Sequence, residues 1–199
     1  MARPKLHDEA LRTKLLDRAA ELLSSEGPEA LSLRRLAADV GTSTTAVYSL
    51  FGGKPALLAA IYDEAVRRFG EHLGDVPVTD DPMADLRRLA EAYRRSALDD
   101  PHLYEVMFTA RSSVFEPDRG AKQRSLATFA PLVDAIGRAM AARLLPPGDP
   151  VPLAAACWAT AHGLVSLELG DQLPPDAGRT DELFTGTLRA LAAGWQCVP

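Results

Sequence analysis

Residues 31–54 read LSLRRLAADVGTSTTAVYSLFGGK, and this stretch decides the fold of the 199-residue chain. Apolar residues recur at helical spacing on both sides of Gly41, and Ser32 stands where a helix N-cap is expected. Gly41 can adopt the positive φ that a tight turn between helices requires, and Ala37 is small enough for the second helix to cross closely. The pattern predicts a helix-turn-helix over about residues 31–52.

The second helix of this pair leaves hydroxyl groups on its outer face if the apolar positions form a small core. The inward positions are Leu36, Val40, Val47 and Leu50. The outward positions are Ser43, Thr44, Thr45, Tyr48 and Ser49. Small hydroxyl side chains at the start of a helix let its backbone approach DNA and offer hydrogen bonds to phosphates or base edges. We therefore predict a DNA-binding surface, whose side chains are Ser32, Arg34, Arg35, Thr42, Ser43, Thr44, Thr45, Tyr48 and Lys54.

The rest of the chain is also helical by its pattern. A first helix ends at Gly27-Pro28, and a long one begins near Pro55. Later helices are predicted over about 82–98, 101–111, 118–144, 151–169 and 179–196. No period-2 alternation of β-branched residues extends over a useful length, so the predicted fold class is all-α. We place a DNA-binding domain at 8–68 and a larger helical domain at 82–196, joined by a turn-rich linker.

Charge is unevenly distributed along the chain. Its 22 Lys and Arg against 27 Asp and Glu give a formal net charge of −5, which argues weakly against a nucleic-acid partner. Residues 1–54, however, hold eight basic and seven acidic side chains, so they carry +1 and the remainder carries −6. The first quarter of the chain therefore tolerates phosphate, and the rest repels it.

Other features limit the classes of protein to which the chain can belong. The first residues do not read as a signal peptide, and His162 and Glu168 interrupt the apolar stretch Val151–Leu169, which favours a buried helix over a membrane span. The four histidines and two cysteines show no metal-ligand spacing, and no phosphate-binding glycine loop or nucleophile elbow is present. We expect a cytoplasmic protein with no catalytic residue, no metal and no cofactor.

The N-terminal quarter, about residues 8–68, resembles the DNA-binding domain of the TetR family of transcription regulators. The matching residues are Leu31–Ala37, Gly41-Thr42-Ser43, Ala46-Val47-Tyr48, Phe51, Lys54 and Leu57-Leu58. The resemblance implies that Tyr48 and Lys54 touch phosphates and that Thr44 and Thr45 read bases. It also implies a homodimer, formed by helices at about 151–169 and 179–196 of each subunit, that binds palindromic double-stranded operator DNA. Such a repressor dissociates from its operator when it binds a small effector.

The C-terminal half carries a second, shorter resemblance. Trp158, His162 and Gly163 resemble a Trp…His-Gly signature in the C-terminal domain of one TetR subgroup. Trp158 and His162 share a helix face and either line a ligand pocket or pack in the core. The candidate ligand-binding residues are Tyr93, His102, Met107, Phe108, Phe115, Phe129, Trp158 and His162. A pocket lined by such residues favours a small, largely apolar ligand.

Two alternatives to a regulator stay open at this point. A helical dimerisation or adaptor protein without specific DNA binding would explain the C-terminal half, but gives no reason for the hydroxyl-rich face at residues 43–49. A small helical enzyme built from scattered residues is the other alternative, and no motif supports it.

Overall fold

The computed structural model describes residues 5–108, 116–175 and 178–196, and within these ranges every regular element is an α-helix. In chain order the helices are α1 (Lys5–Glu26), α2 (Leu33–Val40), α3 (Thr44–Phe51), α4 (Lys54–Gly74), α5 (Pro82–Asp99), α6 (Pro101–Phe108), α7 (Arg119–Ala127), α8 (Ala130–Ala141), α9 (Pro150–Leu169) and α10 (Thr180–Gln196). The predicted all-α class is confirmed.

The first of two compact units comprises Met1–Arg68 and Asp100–Ser125. Helix α1 is central to it, because leucine and alanine side chains at helical spacing bury α1 against both α2 and α6. Leu15, Leu16 and Leu22 are among its completely buried side chains.

The helix-turn-helix forms as the sequence predicts. Ser32 caps α2, and Gly41 at its end has φ 73°, in the left-handed region. The N–H of Thr42 donates to the carbonyl of Ala37 (2.8 Å) and that of Gly41 to the carbonyl of Ala38 (3.2 Å), which closes the last turn of α2. These bonds satisfy carbonyls that a helix end leaves without partners, and they direct the chain sharply into α3.

The second compact unit comprises Phe69–Asp99 and Leu126–Pro199. Helix α5 packs against α8 and α9, α8 against α9, and α9 against α10. Part of its core is a cluster made by Ile136, Ala139, Leu145, Leu153 and Ala154. The two units do not follow the order of the chain, since α6 packs in the first one. The domain bounds of 8–68 and 82–196 stay a prediction.

One predicted helix is wrong in its extent. Residues 118–144 form two helices, α7 and α8, separated by a turn at Thr128-Phe129. Pro131 lies at the start of α8, where its lack of an N–H costs nothing. In the middle of a continuous helix the same proline would leave the carbonyl of Ala127 without a donor and clash with it. The chain therefore breaks before Pro131.

Helix α9 has the length and composition of a membrane span, with a mean hydropathy of 1.2, although only 22% of that window is buried within the single chain. One side of it, with Leu153, Ala161 and Val165, is buried in the second unit. The other side leaves Val151 and Leu167 exposed. The partly apolar surface of α9 is therefore available for a partner.

Candidate nucleic-acid interface

Helix α3 turns its apolar side inward and its hydroxyls outward. Val47 is completely buried and Phe51 is 7% exposed, whereas Tyr48 is 54% exposed. Thr45 is exposed as well, and Thr44 is half-buried at the first turn. The outward face predicted from the sequence is therefore present, with the side chain of Thr44 at its edge.

Two predicted DNA-binding serines act as helix caps. The hydroxyl oxygen of Ser32 accepts from the N–H of Arg35 (3.2 Å), and that of Ser43 accepts from the N–H of Ala46 (3.1 Å). Capping uses the oxygen lone pair and leaves the hydroxyl hydrogen available to donate. Both exposed serines can therefore cap a helix and donate to an anion at the same time. Thr42, in the turn between the helices, is half-buried.

The neighbouring arginines of α2 differ in their surroundings. Arg35 donates from both terminal nitrogens to the carboxylate of Glu26 (2.8 and 2.7 Å). This hydrogen-bonded pairing holds the pKa of Glu26 below its usual range and raises the pKa of Arg35. Arg34 is exposed, and the described part of the chain offers it no acidic partner. The sequence did not distinguish the two, because Glu26 is nine residues from Arg35.

Lys54 lies at the start of α4, as predicted, and is half-buried. Its ammonium group donates to the carbonyl of Pro28 (2.8 Å), which ties α4 to the loop after α1. An ammonium carries three N–H donors, so this bond leaves donors for a phosphate.

Several carboxylates of the first unit are neutralised by arginines. Arg18 contacts Asp39 and Glu21, both at 2.7 Å. Arg35 pairs with Glu26 at 2.7 Å. Pairing of these acids lowers the negative charge that an approaching phosphate meets.

Arg68 joins three elements of the first unit. Its guanidinium donates to Asp17 of α1 (2.7 Å), Glu64 of α4 (2.7 Å) and Asp100 before α6 (2.9 Å). Arg67 also donates to Glu64, and this bonding, with Arg67 the largest cause, lowers the pKa of Glu64 to about 2. This group was not predicted from the sequence, although the spacing of Glu64 from Arg67 and Arg68 is a signal for helical ion pairs.

A separate aromatic cluster lies in the second unit. The hydroxyl of Tyr93 is 3.1 Å from Nδ1 of His162, and the ring of Trp158 is 6.1 Å from the His162 ring. Phe129 meets Trp158 edge-on at 6.0 Å, and Phe69 meets Tyr93 edge-on at 5.2 Å. Burial lowers the pKa of His162, which favours its neutral form.

The structure brings together four of the eight predicted ligand-binding residues, namely Tyr93, Phe129, Trp158 and His162. Three others lie in the first unit. There His102 Nδ1 is 2.6 Å from the Ser24 hydroxyl, Met107 is buried, and Phe108 stacks at a tilt on Tyr104. Phe115 lies outside the described residues.

Comparisons with known proteins identify both halves of the chain. The family model for bacterial regulatory proteins of the tetR family matches residues 15–61, and the model for the tetracyclin repressor-like C-terminal domain matches residues 86–191. Among curated proteins, none matches the chain.

Solved structures share the fold along nearly the whole chain. A protein with unknown function from Rhodococcus sp. RHA1 is 28% identical, with a TM-score of 0.76, over 94% of this chain and 95% of that one. The TetR family regulator PfmR from Thermus thermophilus is 20% identical, with a TM-score of 0.74, over 91% and 95%. AibR in complex with isovaleryl coenzyme A and operator DNA is 20% identical, with a TM-score of 0.70, over 94% and 98%.

The family models and the geometry agree on the N-terminal helix-turn-helix, and the C-terminal model alone covers more than half of the sequence. The chain belongs to the TetR family of ligand-responsive transcription regulators.

Proposed function

We propose that the chain is a homodimeric repressor that binds a near-palindromic operator through α3 and releases it when a small, largely apolar ligand binds. Regulators of this family are generally not enzymes. The observation that carries the proposal is the outward hydroxyl face of α3, where Thr45 and Tyr48 are exposed while Val47 is completely buried. A helix of this kind presents donors to DNA without exposing its own core.

We assign roles to the interface residues from their positions on the helices and the lengths of their side chains. Thr44 and Thr45 lie in the first turn of α3, which enters the major groove first, so they read base edges. Tyr48 and Lys54 carry a longer side chain with a terminal donor and contact phosphates. Of the two α2 arginines, Arg34 is the one whose charge is available to the DNA backbone, because Arg35 is held by Glu26.

Substitutions in α3 test these roles. A gel-shift titration compares the wild type, Tyr48→Phe and Thr45→Ala on the DNA upstream of the coding sequence and on a set of single-base variants of the bound site. Tyr48→Phe should weaken binding to all duplexes alike, whereas Thr45→Ala should change the ranking of duplexes by about 1–3 kcal/mol at one base pair. A reversed outcome would exchange the two assignments, and equal binding of unrelated DNA by the wild type would reject an operator.

We place the dimer interface on α9 and α10, within residues 151–169 and 179–196. Their exposed residues in the single chain include the small or apolar Val151, Ala155, Ala159, Ala190 and Ala193, beside the charged Glu182 and Arg189 of α10. Small side chains let helices of two subunits approach closely. The two α3 helices of such a dimer would enter successive major grooves about 34 Å apart.

The dimer is tested by introducing a charge into this surface. Ala159→Glu should make the protein sediment as a monomer at micromolar concentration and lose operator binding. Ala127→Glu, at an exposed alanine of α7, is the matched control and should remain dimeric. Retention of the dimer by Ala159→Glu would move the interface elsewhere.

The ligand region is proposed at Tyr93, Phe129, Trp158 and His162. Aromatic rings supply apolar surface there, and the hydroxyl and imidazole supply polar anchors. The AibR complex holds both a small molecule and operator DNA on this fold, which supports an effector for this chain as well. Because the protein would act on DNA, we also propose a cytoplasmic location.

A test of the ligand region uses Trp158 as its own reporter. In a Trp195→Phe background, a panel of apolar and aromatic small molecules is titrated while Trp158 fluorescence and operator release are recorded. A compound that changes both signals should lose its effect on operator release in His162→Phe. Operator release that persists in His162→Phe would place the effector elsewhere.

A further inference from the structure

Arg12 of α1 lies outside the helix-turn-helix but reaches its second helix. The guanidinium carbon of Arg12 is 5.7 Å from the centroid of the Phe51 ring, at the last residue of α3. A cation over an aromatic face is held in place by the ring and keeps the outer edge of its N–H groups free to donate. The contact therefore brings a positive charge from α1 to the C-terminal end of α3.

Phe51 lies between the two residues to which we assign phosphate contacts. Tyr48 precedes it by three residues, a spacing that makes the two neighbours on the helix surface, and Lys54 follows it by three. The guanidinium of Arg12 therefore lies at the end of the helix that carries Tyr48, three residues before Lys54 at the start of α4.

The charge of Arg12 is also uncompensated, in contrast to that of Arg18 on the same helix. Arg18 is held by Glu21 and Asp39, both at 2.7 Å. No carboxylate pairs with Arg12 in the described ranges, although Asp8 lies one helical turn before it. An arginine positioned by a ring and lacking an acidic partner is suited to bind a phosphate, because its planar fork of donors matches phosphate oxygens.

We infer that Arg12 binds a DNA phosphate and thereby anchors α1 to the backbone beside the groove that α3 enters. The inference rests on the proposed DNA-binding function and adds to it a contact from outside the helix-turn-helix. It makes Arg12 a positioning residue for α3, since a backbone contact fixes the register of the recognition helix and reads no base.

Salt dependence of DNA binding tests this contact. Affinity for a duplex recovered from a random-sequence pool is measured by fluorescence anisotropy over a series of salt concentrations for the wild type, Arg12→Gln, Arg12→Lys and Lys14→Gln. Lys14 is exposed on the same helix, about 200° around it from Arg12, and so is the matched control for a lost charge. Melting temperatures confirm that every variant is folded under the assay conditions.

A direct phosphate contact predicts that Arg12→Gln reduces the slope of log affinity against log salt by about 0.9 for each bound subunit, equivalent to about fivefold per subunit at 0.15 M salt. The ranking of duplexes should not change. Arg12→Lys should restore most of the slope, and Lys14→Gln should leave it near the wild-type value.

A wild-type slope in Arg12→Gln, or an equal reduction in Lys14→Gln, would overturn the contact while leaving operator recognition intact. Binding of all duplexes alike by the wild type would reject the proposed function, and the Arg12 slope would still decide the phosphate contact. Failure to recover any duplex would reject both.

Discussion

Two helix pairs of this protein use polar side chains in opposite ways. Between α2 and α3 the contact is apolar, with Ala37 and Val47 buried, and the hydroxyls point outward. Between α5 and α9 the contact is partly polar, since Tyr93 meets His162 and Arg94 meets Glu168. The polar groups of the first pair face outward, and those of the second pair contact one another.

The two pairs also differ in the sequence separation of the residues that hold them together. The turn between α2 and α3 is fixed by residues within about ten positions of one another, through caps and a positive-φ glycine. The α5–α9 contacts join residues 69 and 74 positions apart. Substitutions in the α5–α9 pair should therefore affect stability, whereas those in the α2–α3 pair should affect operator binding in addition to stability.

The largest effect is expected from Glu168→Ala in the α5–α9 pair. Its carboxylate accepts two hydrogen bonds from Arg94 (2.8 and 2.5 Å), and the side chains are only 16% and 20% exposed. Removing it leaves a partly buried guanidinium without its carboxylate partner, so the free energy of unfolding should fall by about 3 kcal/mol. Urea denaturation followed by circular dichroism measures this loss.

An exposed ion pair supplies the control for Glu168. Lys122 and Glu116 pair at 2.9 Å, but the glutamate side chain is 84% exposed. Glu116→Ala should leave the urea midpoint unchanged, because solvent screens such pairs. If Glu168→Ala were equally harmless, the polar α5–α9 contact would not contribute to stability.

Ala37→Leu should have the next largest effect and should break the apolar α2–α3 pair. Ala37 is 2% exposed, so a larger side chain must separate the helices or adopt a strained rotamer. We expect a loss of about 1–3 kcal/mol in stability, together with loss of operator binding. Ala38→Leu, at the exposed next residue, should retain both properties. Normal operator binding by Ala37→Leu would show that close crossing of these helices is not required.

Gly41→Ala sharpens the same comparison at the turn. Gly41 has φ 73°, and a Cβ there would meet no heavy atom within 4 Å. The cost is therefore conformational and not steric, and should be about 1–2 kcal/mol, with Gly41→Asn less harmful. Thermal unfolding monitored by circular dichroism compares these variants with Gly53→Ala, where φ is not positive. An equal loss in all three variants would argue against the role of the left-handed turn.

Local chemistry explains which features the sequence predicts well. Ser32, Ser43 and Gly41 act on backbone groups a few residues away, so their roles can be read from spacing alone. The break before Pro131 also has a local cause, because proline lacks the backbone N–H that the interior of a helix requires. Periodicity alone does not reveal it, because the apolar pattern of 118–144 continues through the turn, and only the missing N–H of one proline interrupts the helix.

Tertiary pairing explains what the sequence did not reveal. Nothing near Arg35 distinguishes it from Arg34 until Glu26 is brought beside it. The sequence groups His102 with the aromatic ligand-binding candidates, yet α6 packs on α1 and places its ring beside Ser24 in the first unit. Such choices depend on which helices meet, and a periodic pattern shows that a helix has an apolar face without identifying the helix that covers it.

The smallest expected effect concerns pH and the Tyr93–His162 contact. Burial lowers the pKa of His162, so unfolding brings the imidazole to an ordinary pKa near 6.5 and increases its proton uptake. The stability that depends on neutral His162 is fully present above about pH 6.5 and is lost as the pH falls through the lowered folded pKa. His162→Gln retains a group that can accept from Tyr93 but does not titrate. Between about pH 7.5 and 5.5 the urea midpoint of the wild type should therefore fall more than that of His162→Gln, by a fraction of the about 1.4 kcal/mol that one pKa unit is worth. The two proteins differ only at residue 162. Parallel midpoints would therefore mean that His162 is as well hydrated in the folded chain as in the unfolded one, and that the polar contact between α5 and α9 is open to water.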